Sequence, residues 1–152
     1  MKTFNELIAD TLKNIEEIFP WDLEEQLESN NIPLLLDIRE PDEFKALHIK
    51  NSINVARGIL EQSCEYGYHE TVPKLVNARD QDVVVICRSG NRSVLAAHTM
   101  QLMGYKSVKS LKTGLKGWND SELALQDIQQ QAVDIDYAEE ILTPPVAAEQ
   151  LA

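Results

Sequence analysis

Along this 152-residue chain the spacing of apolar positions changes period several times, and each change marks an element. Thr3 and Glu6 form the ends of a capping box, and Phe4, Leu7, Ile8, Leu12 and Ile15 then recur at helical spacing. The first segment is therefore a helix with one apolar stripe, placed to pack on its own domain or on a second subunit. Ile18 and Phe19 suit a short edge strand. Pro20 and Asp22 open a second helix that runs through Leu23 and Leu27 and ends near Asn30 and Asn31. Residues 32–38 are an apolar run broken at Asp37, the mark of a strand buried on both faces. Pro41 and Asp42 start a short helix covering Phe44 and Leu47. A short strand follows at 53–55. Residues 57–73 show no period and predict a long connection with some helix, near a functional edge. The spacing then predicts a helix over 73–78, the most strand-like run of the chain at 83–86, a helix over 93–103 with Gly104 as its cap, and a strand at 108–111. "KTGLKGW" reads as a glycine-bearing turn leading to a last helix around 121–128. After Gln131 the chain turns acidic and alanine-rich, with Pro144-Pro145, and reads as a loosely held tail.

Strands that alternate with helices define an α/β fold of three layers: a mostly parallel sheet with helices on both faces. The organisation is a helical extension over residues 1–17, a single domain over 18–128 and an acidic tail over 129–152. An apolar fraction of 43% is enough for a core. Two cysteines make no disulfide framework, so a reducing, cytoplasmic setting is expected. No apolar stretch approaches the roughly 20 residues that cross a bilayer, and the acidic N-terminal segment does not resemble a secretory signal.

Charge narrows the partners. Residues 31–118 carry twelve basic and nine acidic side chains, whereas residues 1–30 carry two and eight and residues 119–152 none and eight. A net charge of −11 argues against nucleic acid, and the basic middle suits a small anion.

The chemistry concentrates in Cys87-Arg88-Ser89-Gly90-Asn91-Arg92. Cys87 stands at the carboxyl end of the strongest strand, where open α/β sheets bind ligands. The loop runs into a helix N-terminus, whose first N–H groups are unpaired and whose dipole is positive. Gly90 lets the loop curl and point amides inward, and Arg88 and Arg92 add positive charge. A thiolate, a covalent sulfur adduct or an incoming oxyanion would all be held there.

"CRSGNRS", taken with "LLLDIREPDEF", "HIKNSINV" and "GYKSVKSLKTGLKGW", resembles a single-domain rhodanese over roughly residues 18–125. The resemblance implies a five-stranded parallel sheet. It implies that Cys87 takes sulfane sulfur from a donor such as thiosulfate, becomes a persulfide and passes the sulfur to cyanide or a thiol. It implies that the amides of Arg88, Ser89, Gly90, Asn91 and Arg92 cradle the sulfur, with Arg92 bracing the loop and Arg88 facing substrate. Arg57 matches an arginine that some relatives place by the pocket. Asp37 and Arg39 are expected to support loops through hydrogen bonds and pairing. No cofactor or metal is implied. Two departures stand out: "LHIKNS" replaces the commoner GHIPGA, and "LKTGLKGW" lacks the usual acidic residue and paired glycines, a change expected to lie away from the pocket.

His48 is expected to pack structurally, and His69 and His98 lack partners at ligand spacing for a metal. Cys64 either comes near the pocket, to accept sulfur or form a disulfide with Cys87, or is an ordinary thiol at the surface or beside Tyr66 and Tyr68. Phosphatases and arsenate reductases of the same fold also use a cysteine loop ending in arginine. Their loop is typically one residue longer than the C-x4-R found here, which favours sulfur transfer. A non-catalytic partner-binding module remains the other alternative. The expected partners are a small anionic sulfur donor, a thiol or cyanide acceptor and, through the N-terminal helix, a sulfur-relay protein; monomer and homodimer are both open.

Overall fold

Five strands and eight α-helices follow one another in the computed structural model, which describes residues 1–151. They are α1 (Phe4–Leu12), β1 (Glu16–Ile18), α2 (Pro20–Leu27), β2 (Leu34–Asp37), α3 (Pro41–Ala46), β3 (Ile53–Asn54), α4 (Leu60–Ser63), α5 (Pro73–Val76), β4 (Asp82–Ile86), α6 (Arg92–Leu102), β5 (Ser107–Leu111), α7 (Gly114–Asp120) and α8 (Ile135–Leu142). Five strands make one sheet in the order β1-β5-β4-β2-β3, with every pair parallel.

Side chains alternate across a strand, so each central strand feeds two cores. Leu36, Val83, Val85 and Val108 face α6, meeting Val94, Ala97 and Met100, with Leu60 and Leu75 from the α4–α5 segment beside them. Leu35, Val84, Ile86 and Leu111 face the other way, against Leu23 of α2, Leu115 and Trp118 of α7, and Ala138 and Leu142 of α8. The result is a three-layer α/β fold. Burying each of these large apolar side chains stabilises the fold by about 1.5–3 kcal/mol relative to exposure.

The caps follow the residue chemistry. Thr3 and Glu6 exchange their hydrogen bonds at the start of α1. α1 lies on α6 with Ile8 buried, so this helix docks on its own domain. At the end of α6, Gly104 N–H donates to Gln101 and Tyr105 N–H to Met100, closing the helix. The "KNS" turn keeps its shape without glycine because Asn51 takes the left-handed region (φ 66°) and the Ser52 hydroxyl donates to Ile49 O at 2.6 Å.

Three segments differ from the sequence reading. β1 starts at Glu16, because an edge strand tolerates glutamates on its open side; Phe19 instead precedes α2 and stacks on Trp21 at 4.7 Å. The last helix of the domain is α7, beginning within "KTGLKGW". Leu115 and Trp118, three apart, anchor it to the sheet, and the Ser121 hydroxyl closes it on Gly117 O. Residues after Gln131 are also not loosely held throughout. Asp134 caps α8, Ala138 and Leu142 are buried, and Glu139 pairs with Lys116 at 2.9 Å. Only residues 143–151 are exposed along their length. No described helix is long and apolar enough to cross a membrane.

Candidate active site

The alternation that sends Val83 and Val85 toward α6 sends Cys87 the same way. Its side chain therefore points under the N-terminus of α6, and the residue has no exposed surface. Gly90 turns the loop with φ 87° and donates its N–H to Cys87 Sγ at 3.1 Å. Ser93 N–H donates to the same sulfur at 3.3 Å, and Ser93 Oγ lies 3.2 Å from it. Asn91 stands at the cap position of α6 but gives no side-chain hydrogen bond. The sulfur accepts the early helical N–H that a capping oxygen would otherwise take. Among Arg88 to Arg92, Gly90 alone donates its amide to the sulfur; the second donor is Ser93, one residue past the expected ring. Its position at the second residue of α6, where caps find their donors, was the available signal.

The outside of the loop rests on α7, contrary to the expectation that "LKTGLKGW" lies away from the pocket. Leu115 N–H donates to Cys87 O and Lys116 N–H to Arg88 O, both at 2.9 Å. A Cβ on Gly90 would sit 3.0 Å from Thr113 N, and one on Gly114 (φ 60°) would sit 2.5 Å from Cys87 O. Backbone touches backbone here, and only glycine permits it.

Charged side chains occupy distinct places around this centre. Arg92 is held in a two-pronged pair by Glu43 of α3, at 2.9 Å for both nitrogens. Those hydrogen bonds hold the Glu43 carboxyl down at about 2 despite partial burial, and raise Arg92 in turn. Sequence reasoning missed Glu43; its only trace was the capping spacing from Glu40, whose N–H it accepts at 3.0 Å. Arg88 is half-buried and its guanidinium has no hydrogen bond or ion pair among the described residues, while Ser89 is exposed. Asp37 lies beside Ile86 in register and is buried with Arg39: Nε and Nη2 of Arg39 donate to its carboxylate at 3.0 and 2.9 Å, and Nη2 also reaches Leu47 O. Arg57 is turned elsewhere. It pairs with Glu61 at 2.9 Å and donates to Thr99 Oγ1 at 3.1 Å, about 9 Å along α6 from Ser93.

Cys64 is fully buried, not at the surface with Tyr66 and Tyr68, which are exposed. Burial pushes its thiol up, and the Tyr105 hydroxyl in the same core layer donates to Leu75 O at 2.7 Å. Arg79 donates to both Cys64 O and Met103 O, placing Cys64 at the far end of α6. Ser93, which touches Cys87, is ten residues away along that helix, about 15 Å. A disulfide needs Cα atoms within about 7 Å, so this fold does not bring the two thiols together, and both are free. His48 stacks on Phe44 at 3.9 Å, and its Nδ1 lies 2.8 Å from Phe44 O.

Fold and loop together define a class: a parallel α/β domain with a cysteine at the carboxyl end of its central strand, capped by the following helix. The chain belongs to the rhodanese family, since the model of the Rhodanese-like domain matches residues 20–121. Among curated relatives it is 33% identical over 96 residues to the "Putative thiosulfate sulfurtransferase, mitochondrial" of Schizosaccharomyces pombe, covering 57% of this chain and 63% of that protein. It is 28% identical over 111 residues to the Candida albicans adenylyltransferase and sulfurtransferase UBA4, covering 73% of this chain and 25% of that one. The chain thus spans less than two thirds of either relative. Among solved structures, a Rhodopseudomonas palustris protein of unknown function described as "Possible Tyrosine Phosphatase" matches with TM-score 0.73 and 27% identity, over 80% of this chain and 92% of that one. Rhodanese-family membership and these relatives support sulfur transfer in general.

Proposed function

We propose that this domain moves single sulfur atoms through a persulfide on Cys87. The observation that carries the reading is the convergence of Gly90 N–H, Ser93 N–H and Ser93 Oγ on one sulfur within 3.3 Å. The two N–H donors stabilise the anionic form of Sγ, and hydrogen bonds to a charged acceptor are stronger than neutral ones. In the first half-reaction the Cys87 thiolate attacks the outer sulfur of a donor such as thiosulfate. The new S–S bond forms as the donor S–S bond breaks, and sulfite leaves with the electron pair. In the second, cyanide or a thiolate attacks the outer sulfur of the persulfide and the Cys87 thiolate leaves. Arg88, the unpaired guanidinium at the loop, draws the anionic donor. Cys87 has no exposed surface, so loading also requires an opening of the site.

The R. palustris neighbour raises phosphate-ester hydrolysis as a second reading. A phosphatase loop needs its arginine free for the phosphate oxygens, whereas Arg92 commits both terminal nitrogens to Glu43. The C-x4-R spacing adds to that argument. The resemblance to UBA4 supports a sulfur-relay protein as acceptor, and the two free thiols suit a reducing, cytoplasmic setting.

Intact-mass measurement after thiosulfate exposure tests the reading. The expected result is a gain of one sulfur atom that cyanide removes and that Cys87→Ala abolishes. Absence of any gain on the wild-type chain, or a gain retained in Cys87→Ala, overturns it.

A further inference from the structure

Ser110 lies on β5, the strand next to the one that ends in Cys87, and is fully buried. Its Oγ is 2.7 Å from Ser93 Oγ, which is 3.2 Å from Cys87 Sγ. Three polar side-chain groups therefore form one line, Ser110–Ser93–Cys87, inside an otherwise apolar layer. Neither the loop motif nor any loop contact includes Ser110; strand register alone brings it there.

We propose that Ser110 is a positioning residue that sets the direction of the Ser93 hydroxyl and so the ease with which Cys87 ionises. The inference rests on Cys87 being the reactive sulfur. With the thiol protonated, S–H donates to Ser93 Oγ and the Ser93 O–H donates to Ser110 Oγ. When the proton leaves to solvent, both hydroxyls rotate. Ser110 O–H then donates to Ser93 Oγ, and Ser93 O–H donates to the sulfur anion. Each hydroxyl is one donor and an acceptor, so the line reverses without moving a heavy atom, and in the anionic state the Ser110 O–H gains Ser93 Oγ as its acceptor. A buried hydroxyl that loses its partner is costly, and a hydrogen bond that polarises the next one strengthens it. Without Ser110, Ser93 keeps its contact to sulfur but donates less strongly to the anion. In a persulfide the inner sulfur occupies the position of Sγ, and the Ser93 O–H would serve it when the Cys87 thiolate leaves.

The test is the pH dependence of Cys87 alkylation by iodoacetamide, mapped to that residue by mass spectrometry. Each variant's rate is divided by its own alkaline plateau, which cancels changes in access. Ser110→Ala is expected to lower the normalised rate at neutral pH about two- to tenfold, the worth of one hydrogen bond. Ser93→Ala is expected to lower it further, and Ser93→Ala/Ser110→Ala to match Ser93→Ala within about twofold, because Ser110 acts only through Ser93. A purely structural role for Ser110 would shift the plateau and leave the normalised profile in place. An unchanged Ser110→Ala profile, or an effect that adds fully to that of Ser93→Ala, overturns the proposal. Thiosulfate loading is read separately. Loading with an unchanged Ser110→Ala profile sinks the serine line alone, and a shifted profile without loading sinks the sulfur-transfer reading alone.

Discussion

Gly114 sits against the carbonyl of Cys87: a Cβ there would lie 2.5 Å from Cys87 O and 2.6 Å from Arg88 O, and its φ is 60°. The contact lets α7 present Leu115 N–H to Cys87 O, so the Cys87 loop is held from outside as well as from α6. Gly114→Ala forces backbone against backbone, where no rotamer relieves the overlap. The expected cost is about 1–3 kcal/mol of stability, with sulfur loading falling more than tenfold at temperatures where the protein stays folded. Chemical denaturation and intact-mass loading measure the two effects separately.

Cys64 and Cys87 make contrasting variants. The two are separated by the length of α6, and Cys64 is held by the Arg79 backbone clamp rather than by the loop. Cys64→Ala is expected to keep most sulfur loading while losing roughly 1–2 kcal/mol of stability for the vacated core volume. Cys87→Ala is expected to lose all loading. Equal loss of loading in both variants would show that the two ends of α6 communicate chemically.

The apolar runs of β2 and β4 are legible in the sequence because a strand buried on both faces has no polar positions to hide it. Cys87 at the end of such a run, followed by Gly90 and Arg92 before an apolar helix, is legible for the same local reason. What surrounds the sulfur is not. Glu43 meets Arg92 across 49 positions and Ser110 meets Ser93 across 17. Both contacts are set by strand order and register, which a single sequence does not print. The glycines of "KTGLKGW" mislead in another way. They suggest a turn, yet Gly114 lets α7 approach the loop and Leu115 and Trp118 hold the helix on the sheet.

Arg88 and Arg57 separate by their commitments. Arg57 is tied to Glu61 and Thr99, while Arg88 has no partner among the described residues. Arg88→Ala is expected to raise KM for thiosulfate several-fold with kcat little changed, since an unpaired guanidinium on the loop acts on binding. Arg57→Ala is expected to change KM less than twofold. Steady-state kinetics over a range of salt checks this, because the Arg88 effect should shrink as ionic strength rises.

Asp37 and Arg39 form the pair on which the neighbouring loops close, with side chains 0% and 1% exposed. Two buried charges are tolerable only together, and removing one leaves the other without a counter-charge. Asp37→Ala is expected to destabilise the fold by about 3–5 kcal/mol. The side-chain amide of Asn54, which donates to the backbone carbonyls of Asp37 and Arg39 at 3.0 Å, keeps both acceptors in this variant, so the loss reads the ion pair itself. Urea denaturation followed by tryptophan fluorescence reads the loss through Trp118, which lies in the sheet core.

The Glu43–Arg92 pair predicts how the domain responds to acid. Glu43 titrates at about 2 in the folded chain against an ordinary value of 4.5, so the folded state holds on to fewer protons than the unfolded one. A depressed carboxyl stabilises the fold fully above its unfolded pKa, and the contribution fades as pH falls through the window from about 4.5 to about 2. Glu43→Gln removes the titrating group and should flatten that part of the stability curve while lowering stability at neutral pH. The same variant releases Arg92 beside the loop, so its sulfur loading should fall even where it remains folded. Melting temperatures of wild type and Glu43→Gln from neutral pH to pH near 2 decide the matter. Curves that stay parallel across the window would show that Arg92 holds Glu43 no more strongly than water does.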